Sequence, residues 1–154
     1  MREKFKSKKD AIEEKKAIKL LNEKLNGKFT VIHNETPNNH YDFDAYDIYG
    51  NLVYIMEFKR RYVNSFTYPT WVIAKIKLER LINIAKQKNC QPMWIFGFND
   101  EYRYCNVNHL TADDLGPVVT IRRTKPRYNN QRGISDVEDG YEVKNNEKWG
   151  SLTY

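Results

Sequence analysis

The pair Gly50-Asn51 limits the fold more than any other feature of the chain. It suits the two central positions of a tight hairpin turn. Strand-like runs flank it at residues 41–49 and 52–58, rich in Tyr, Phe, Val and Ile. A two-residue turn sets Tyr49 across from Leu52, and the ladder then carries Asp44 to Glu57 and Asp42 to Lys59. Side chains alternate along a strand, so these four ionisable residues share a face with Tyr46, Ile48, Val53 and Ile55. The other face carries Phe43, Ala45, Tyr49, Leu52, Tyr54, Met56 and Phe58, which predicts a hairpin buried on both sides. Charge in such a place is costly unless it is paired or holds a metal.

The 154 residues suit one domain. Residues 8–26 run at helical spacing and stop at Gly27, a favoured residue just past a helix. A strand is expected over 28–33, then the hairpin. A second helix is expected from Thr70, just after Pro69, to about Lys88. Strands follow at 93–98, 102–107 and 118–122, with one helical turn at 111–115 behind Thr111 as N-cap. This order predicts an α/β fold, a mixed sheet flanked by helices with an α-β-β-β-α-β core at about 8–107 inside a domain of residues 1–124. Residues 125–154, polar and mixed in charge, read as an arm or irregular extension.

Two carboxylates on one sheet face repel each other, and a hard divalent cation relieves that repulsion. A lysine two residues beyond one of them aims an ammonium at the same point. The alternative is a salt-bridged hairpin, with Asp42 paired to Lys59. The helices bear on the choice. The stripe Ala11, Glu14, Ile18, Leu21, Leu25 is apolar except for Glu14, and the stripe Trp71, Lys75, Leu78, Ile82, Ala85 is apolar except for Lys75. A buried Glu or Lys needs a partner, and the hairpin cluster would supply one.

Together these residues resemble the PD-(D/E)XK nuclease superfamily: Asp44, thirteen residues later Glu57-Phe58-Lys59, and Glu14 on the preceding helix. The resemblance spans roughly residues 8–98. No proline precedes Asp44, a departure from the pattern. The resemblance implies a restriction-endonuclease-like fold, dependence on Mg²⁺ or Mn²⁺, and hydrolysis of DNA, less often RNA. By position, Asp44, Glu57, the main-chain carbonyl of Phe58 and Glu14 would ligate metal. Lys59 would be the catalytic lysine and Lys75 an auxiliary basic residue. A homodimer acting on branched or damaged DNA follows at the level of the superfamily. The rival readings are a nucleic-acid-binding or scaffold protein that kept the fold without turnover, and a protein-interaction module.

The formal net charge of +6 favours a polyanionic partner. Arg60 and Arg61 at the strand end, and the basic run Arg122, Arg123, Lys125, Arg127, are the candidate phosphate contacts. Tyr62 and Tyr68 could stack on bases or simply pack. His40 lies close enough to Asp42 in sequence to enter the site. Cys90 and Cys105 have no metal-ligand spacing, and no apolar run approaches the roughly 18 residues that cross a bilayer. These features point to an intracellular, cytoplasmic protein without a membrane segment.

Overall fold

The computed structural model describes residues 8–35, 40–122 and 137–154. Helix α1 (Lys8–Leu25) stops at Asn26 and Gly27, both in the left-handed region with φ of 49° and 82°. Its buried stripe is Glu14, Ala17 and Leu21, while Ala11 is exposed and Ile18 and Leu25 are half-buried. Strands β1 (Phe29–His33), β2 (Phe43–Asp47) and β3 (Leu52–Arg60) follow, then β4 (Thr70–Ala74), α2 (Lys75–Lys88), β5 (Gln91–Gly97) and β6 (Glu101–Asn106). A short helix α3 (Ala112–Leu115) carries the capping box expected of Thr111, whose side chain pairs with Asp114. Strands β7 (Val118–Arg122), β8 (Val137–Lys144) and β9 (Gly150–Thr153) end the fold.

The main sheet has the order β1-β2-β3-β5-β6-β9, mixed because β3 and β5 run parallel while the other neighbours are antiparallel. Each face carries a helix. On one, Ala17 and Leu21 of α1 pack on Val31, Phe43, Ala45, Met56 and Phe58. On the other, Leu78, Leu81 and Ala85 of α2 pack on Ile55, Trp94 and Phe96. A second sheet, β4-β8-β7, adds Trp71, Ile73 and Val143 to that second core.

Three expectations need correction. Thr70 to Ala74 is a strand, so the second helix begins only at Lys75. Trp71 and Ile73 are buried while Val72 between them is exposed, the alternation of a half-buried strand. Residues 137–154 are no arm: β8 is the middle strand of the second sheet, β9 edges the main sheet, and Val143 and Trp149 are core residues. The remainder of the expected extension, 125–136, lies outside the described residues.

The third correction is the hairpin register. The loop spans three residues, Ile48 to Gly50, with Gly50 at φ 82° and the Gly50 N–H on the Asp47 carbonyl. Asp47 Oδ1 accepts the N–H groups of Tyr49 and Asn51, both at 2.9 Å, which selects this loop over a two-residue one. Tyr46 therefore faces Leu52. A bulge between Ala45 and Tyr46 then shifts the ladder again, so Ala45 faces Tyr54, Asp44 faces Ile55 and Phe43 faces Met56. The longer loop alone would have inverted the two faces, and the bulge restores them. The net slip of two residues keeps Asp44, Glu57 and Lys59 on one face but changes who stands opposite whom.

Candidate active site on the carboxylate hairpin

Glu57 lies in the middle of the main sheet, between β2 and β5, and is 2% exposed. In the true register Asp44 is its diagonal neighbour across β2 and β3, and Asp42, just before Phe43, donates its N–H to the Met56 carbonyl at 2.9 Å. Trp94 of β5 stands beside it on the other flank. Lys59 Nζ is 3.5 Å from Glu57 Oε2 with a quarter of its side chain exposed, so the ammonium bridges a buried carboxylate and solvent.

The two aspartates are held differently. Asp42 is fully buried, and its Oδ2 accepts the Phe58 N–H at 2.9 Å. It thereby fixes the peptide between Glu57 and Lys59. Asp44 is half-buried and accepts the Tyr41 hydroxyl at 2.7 Å. Burial, reinforced by Asp44, pushes the Tyr41 phenol far above its ordinary range, so it remains a donor. His40 is half-buried just ahead of this group.

The remaining candidates sit apart from these. Glu14 is buried at 6%, with Oε1 2.8 Å from His33 Nε2. His33 faces Phe43 across the sheet, so Glu14 belongs to the face opposite Glu57. Lys75 opens α2 on the Glu57 side, but its Nζ is 3.6 Å from Glu79 Oε2, one helical turn on, and over a third of the side chain is exposed. Arg60 ties the fold together: its guanidinium meets Glu13 Oε2 at 3.2 Å, the Gly97 carbonyl at 3.0 Å and Asn99 Oδ1 at 2.9 Å. Arg61 lies over the Phe96 ring. Arg122 ends β7, and Arg123, Lys125 and Arg127 fall outside the described residues. Sequence reasoning missed Tyr41 and His33 as partners of Asp44 and Glu14. Tyr41 had a signal in its position three residues before Asp44, but His33 had none without the β1–β2 register.

Residues 1–136 match the family described as "Phage putative PDDEXK endonuclease". No curated protein matches the chain. Among solved structures, the chain is similar to Hjc of Archaeoglobus fulgidus, a Holliday junction resolvase from an archaeal hyperthermophile, with a TM-score of 0.50 at 15% identity. The match covers 82% of this chain and 86% of that one. At that identity the likeness concerns the fold, a restriction-endonuclease-like mixed sheet with flanking helices.

Proposed function

Because the chain belongs to the phage PDDEXK endonuclease family, we propose that it hydrolyses DNA phosphodiester bonds with a divalent metal held on the β2–β3 hairpin. The observation that carries this reading is Glu57, buried mid-sheet on the same face as Asp44 and 3.5 Å from Lys59.

The donor chemistry fits Mg²⁺ or Mn²⁺. Carboxylates of Asp44 and Glu57 and the main-chain carbonyl of Phe58 are hard oxygens. Among the described residues no three His, Cys, Asp or Glu form a ready metal cluster. Two carboxylates and a carbonyl suit an ion such as Mg²⁺, which keeps several waters and takes phosphate oxygens. A bound ion would supply Lewis-acid polarisation of the phosphate and a more acidic water.

The protein's own groups do the rest. Tyr41 orients Asp44 and Asp42 fixes the Glu57-Phe58-Lys59 backbone. Lys59, already at the edge of solvent, swings from Glu57 toward the phosphate and offsets charge that grows as the phosphoryl centre is attacked. Glu14, paired with His33 on the opposite sheet face, and Lys75, paired with Glu79, take no part in this centre. Arg61 and the basic run Arg122, Arg123, Lys125, Arg127 are assigned to the DNA backbone. Arg60 acts as a tie rather than a contact. One such centre cuts one strand, so paired cuts require two copies, and a homodimer is part of the proposal.

The test is a cleavage panel of single-stranded, duplex, flapped and four-way DNA with Mg²⁺, with Mn²⁺ and with chelator. Lys59→Ala should lower single-turnover cleavage by about 10²–10³-fold while Mn²⁺ binding, read by electron paramagnetic resonance, persists. Parent-like cleavage by Lys59→Ala would remove the proposed centre.

A further inference from the structure

Immediately after Lys59 and Arg60, residues 61–69 connect β3 to β4 and turn aromatic rings toward solvent. Tyr62, Phe66 and Tyr68 are 50%, 69% and 55% exposed. Exposed rings on a flexible loop would mean little, but this loop is pinned along its length. The Arg61 N–H donates to the Gly97 carbonyl and the Asn99 N–H to the Val63 carbonyl, each at 2.9 Å. Ser65 is fully buried; its N–H and Oγ donate to the two oxygens of Asp100, at 2.8 and 2.9 Å. Asn145 Nδ2 donates to the Ser65 carbonyl at 3.0 Å, and the Asn145 N–H to the Pro69 carbonyl at 2.9 Å. A backbone fixed so firmly holds its apolar rings in water without relaxation, a cost that a binding surface explains.

The three rings are not equivalent. Tyr62 is engaged, with Lys9 Nζ 4.1 Å and the Arg60 guanidinium 4.3 Å from its ring centroid. Phe66 rests on Arg103, whose guanidinium lies 5.1 Å from its ring. Arg103 is itself buried and anchored by Ser151 Oγ, Asn145 Oδ1 and the Asn146 carbonyl. One side of Phe66 therefore has a fixed cationic support while most of the ring remains open.

We propose that Phe66 and Tyr68 form a stacking platform for unpaired bases of the DNA strand that the hairpin cuts, so that the substrate class is DNA with single-stranded or splayed segments. The inference rests on the nuclease reading above. It is favoured by charge: Lys9 lies against Tyr62 at the start of the loop, Arg61 begins it, Arg103 lies beneath Phe66, and the chain is net basic by 6. It is favoured also by chemistry, since every base has a π face and a stacked base leaves its phosphate within reach of nearby cations.

The test uses the full chain in chelator, so that binding is read without cleavage, by fluorescence anisotropy. The probes are a labelled single strand, a blunt duplex and a fork with splayed arms. Replacing Phe66 and Tyr68 together by alanine should weaken single-strand and fork binding by about tenfold or more and leave the blunt duplex within about twofold. Phe66→Trp should keep parent affinity for the fork. Both rings are exposed, so the thermal midpoint should hold. Equal losses on all three probes, no loss on any, or a change of sedimentation mass in the double variant would overturn the platform, the last because it makes the rings a contact between copies. The nuclease reading fails separately, if the parent cuts none of the probes with Mg²⁺ or Mn²⁺, a result read apart from the anisotropy.

Discussion

Among the described residues, two buried carboxylates are paired with a lysine, on opposite plans. Asp114 at the start of α3 is saturated: it accepts the N–H and hydroxyl of Thr111, Asn146 Nδ2 at 3.0 Å, and Lys148 Nζ. Lys148 first, and then the Thr111 backbone, hold its carboxyl well below the usual aspartate range. Glu57 sits among Ile55, Trp94 and Phe96, with Lys59 at 3.5 Å, longer than a charge-assisted hydrogen bond. A carboxylate that only braces a loop is given donors until its lone pairs are filled. Glu57, the proposed metal ligand, instead faces an ammonium that reaches solvent.

The widest separation between the two plans is expected for Glu57→Gln. It should lower single-turnover cleavage by about 10³-fold or more without lowering the thermal midpoint, because the shape is kept and Lys59, a quarter exposed, is left able to turn to solvent rather than buried unpaired. A fall in midpoint with cleavage intact would make Glu57 another Asp114. Asp42 comes next. Asp42→Asn keeps an acceptor for the Phe58 N–H and should retain cleavage within about tenfold, whereas Asp42→Ala should lose about 10²-fold. Equal losses would move Asp42 among the metal ligands at Asp44's expense. Lys148→Ala should lower the midpoint by about 3–8 °C and leave cleavage unchanged. Because the folded value of Asp114 is depressed, its stabilisation is present above its ordinary value of 3.8 and is lost as pH falls below that point. Melting from pH 7 down to 3 should therefore decline less steeply in Lys148→Ala than in the parent. The smallest effect is expected at the hairpin loop, where a Cβ on Gly50 would meet nothing within 4 Å. Gly50→Ala should cost only the left-handed backbone penalty, about 1–2 kcal/mol in a denaturant titration.

Sequence and structure agree where periodicity was strong and local. The stop at Gly27, the Thr111 cap and the shared face of Asp44, Glu57 and Lys59 were all legible. The face was right only because two unread events opposed each other. Asp47's side chain chose a three-residue loop, and a bulge inside β2–β3 reversed the inversion. Neither leaves a pattern in hydrophobicity. Strand β4 was hidden because Trp71, Lys75 and Leu78 mimic a helical stripe, although Trp71 and Ile73 point inward at strand period. Strand β8 was hidden because it is half-covered and offers few apolar residues. Its Gly140 was a cue, since a Cβ there would come within 2.6 Å of Ile121 and 2.9 Å of Val72. The partners of the site carboxylates required the register itself.

The parallel pairing of β3 with β5 also has a consequence for how the protein folds. Strands β2 and β3 meet across three loop residues, a closure that takes microseconds. Strand β5 reaches β3 only after β4 and α2 have been laid down, a crossover that must order some thirty residues. The hairpin therefore forms with Glu57 still hydrated, and its carboxylate loses water when Trp94 docks beside it. Glu57→Gln should therefore speed refolding, followed by stopped-flow circular dichroism, and an unchanged rate would place the desolvation of Glu57 after the rate-limiting step.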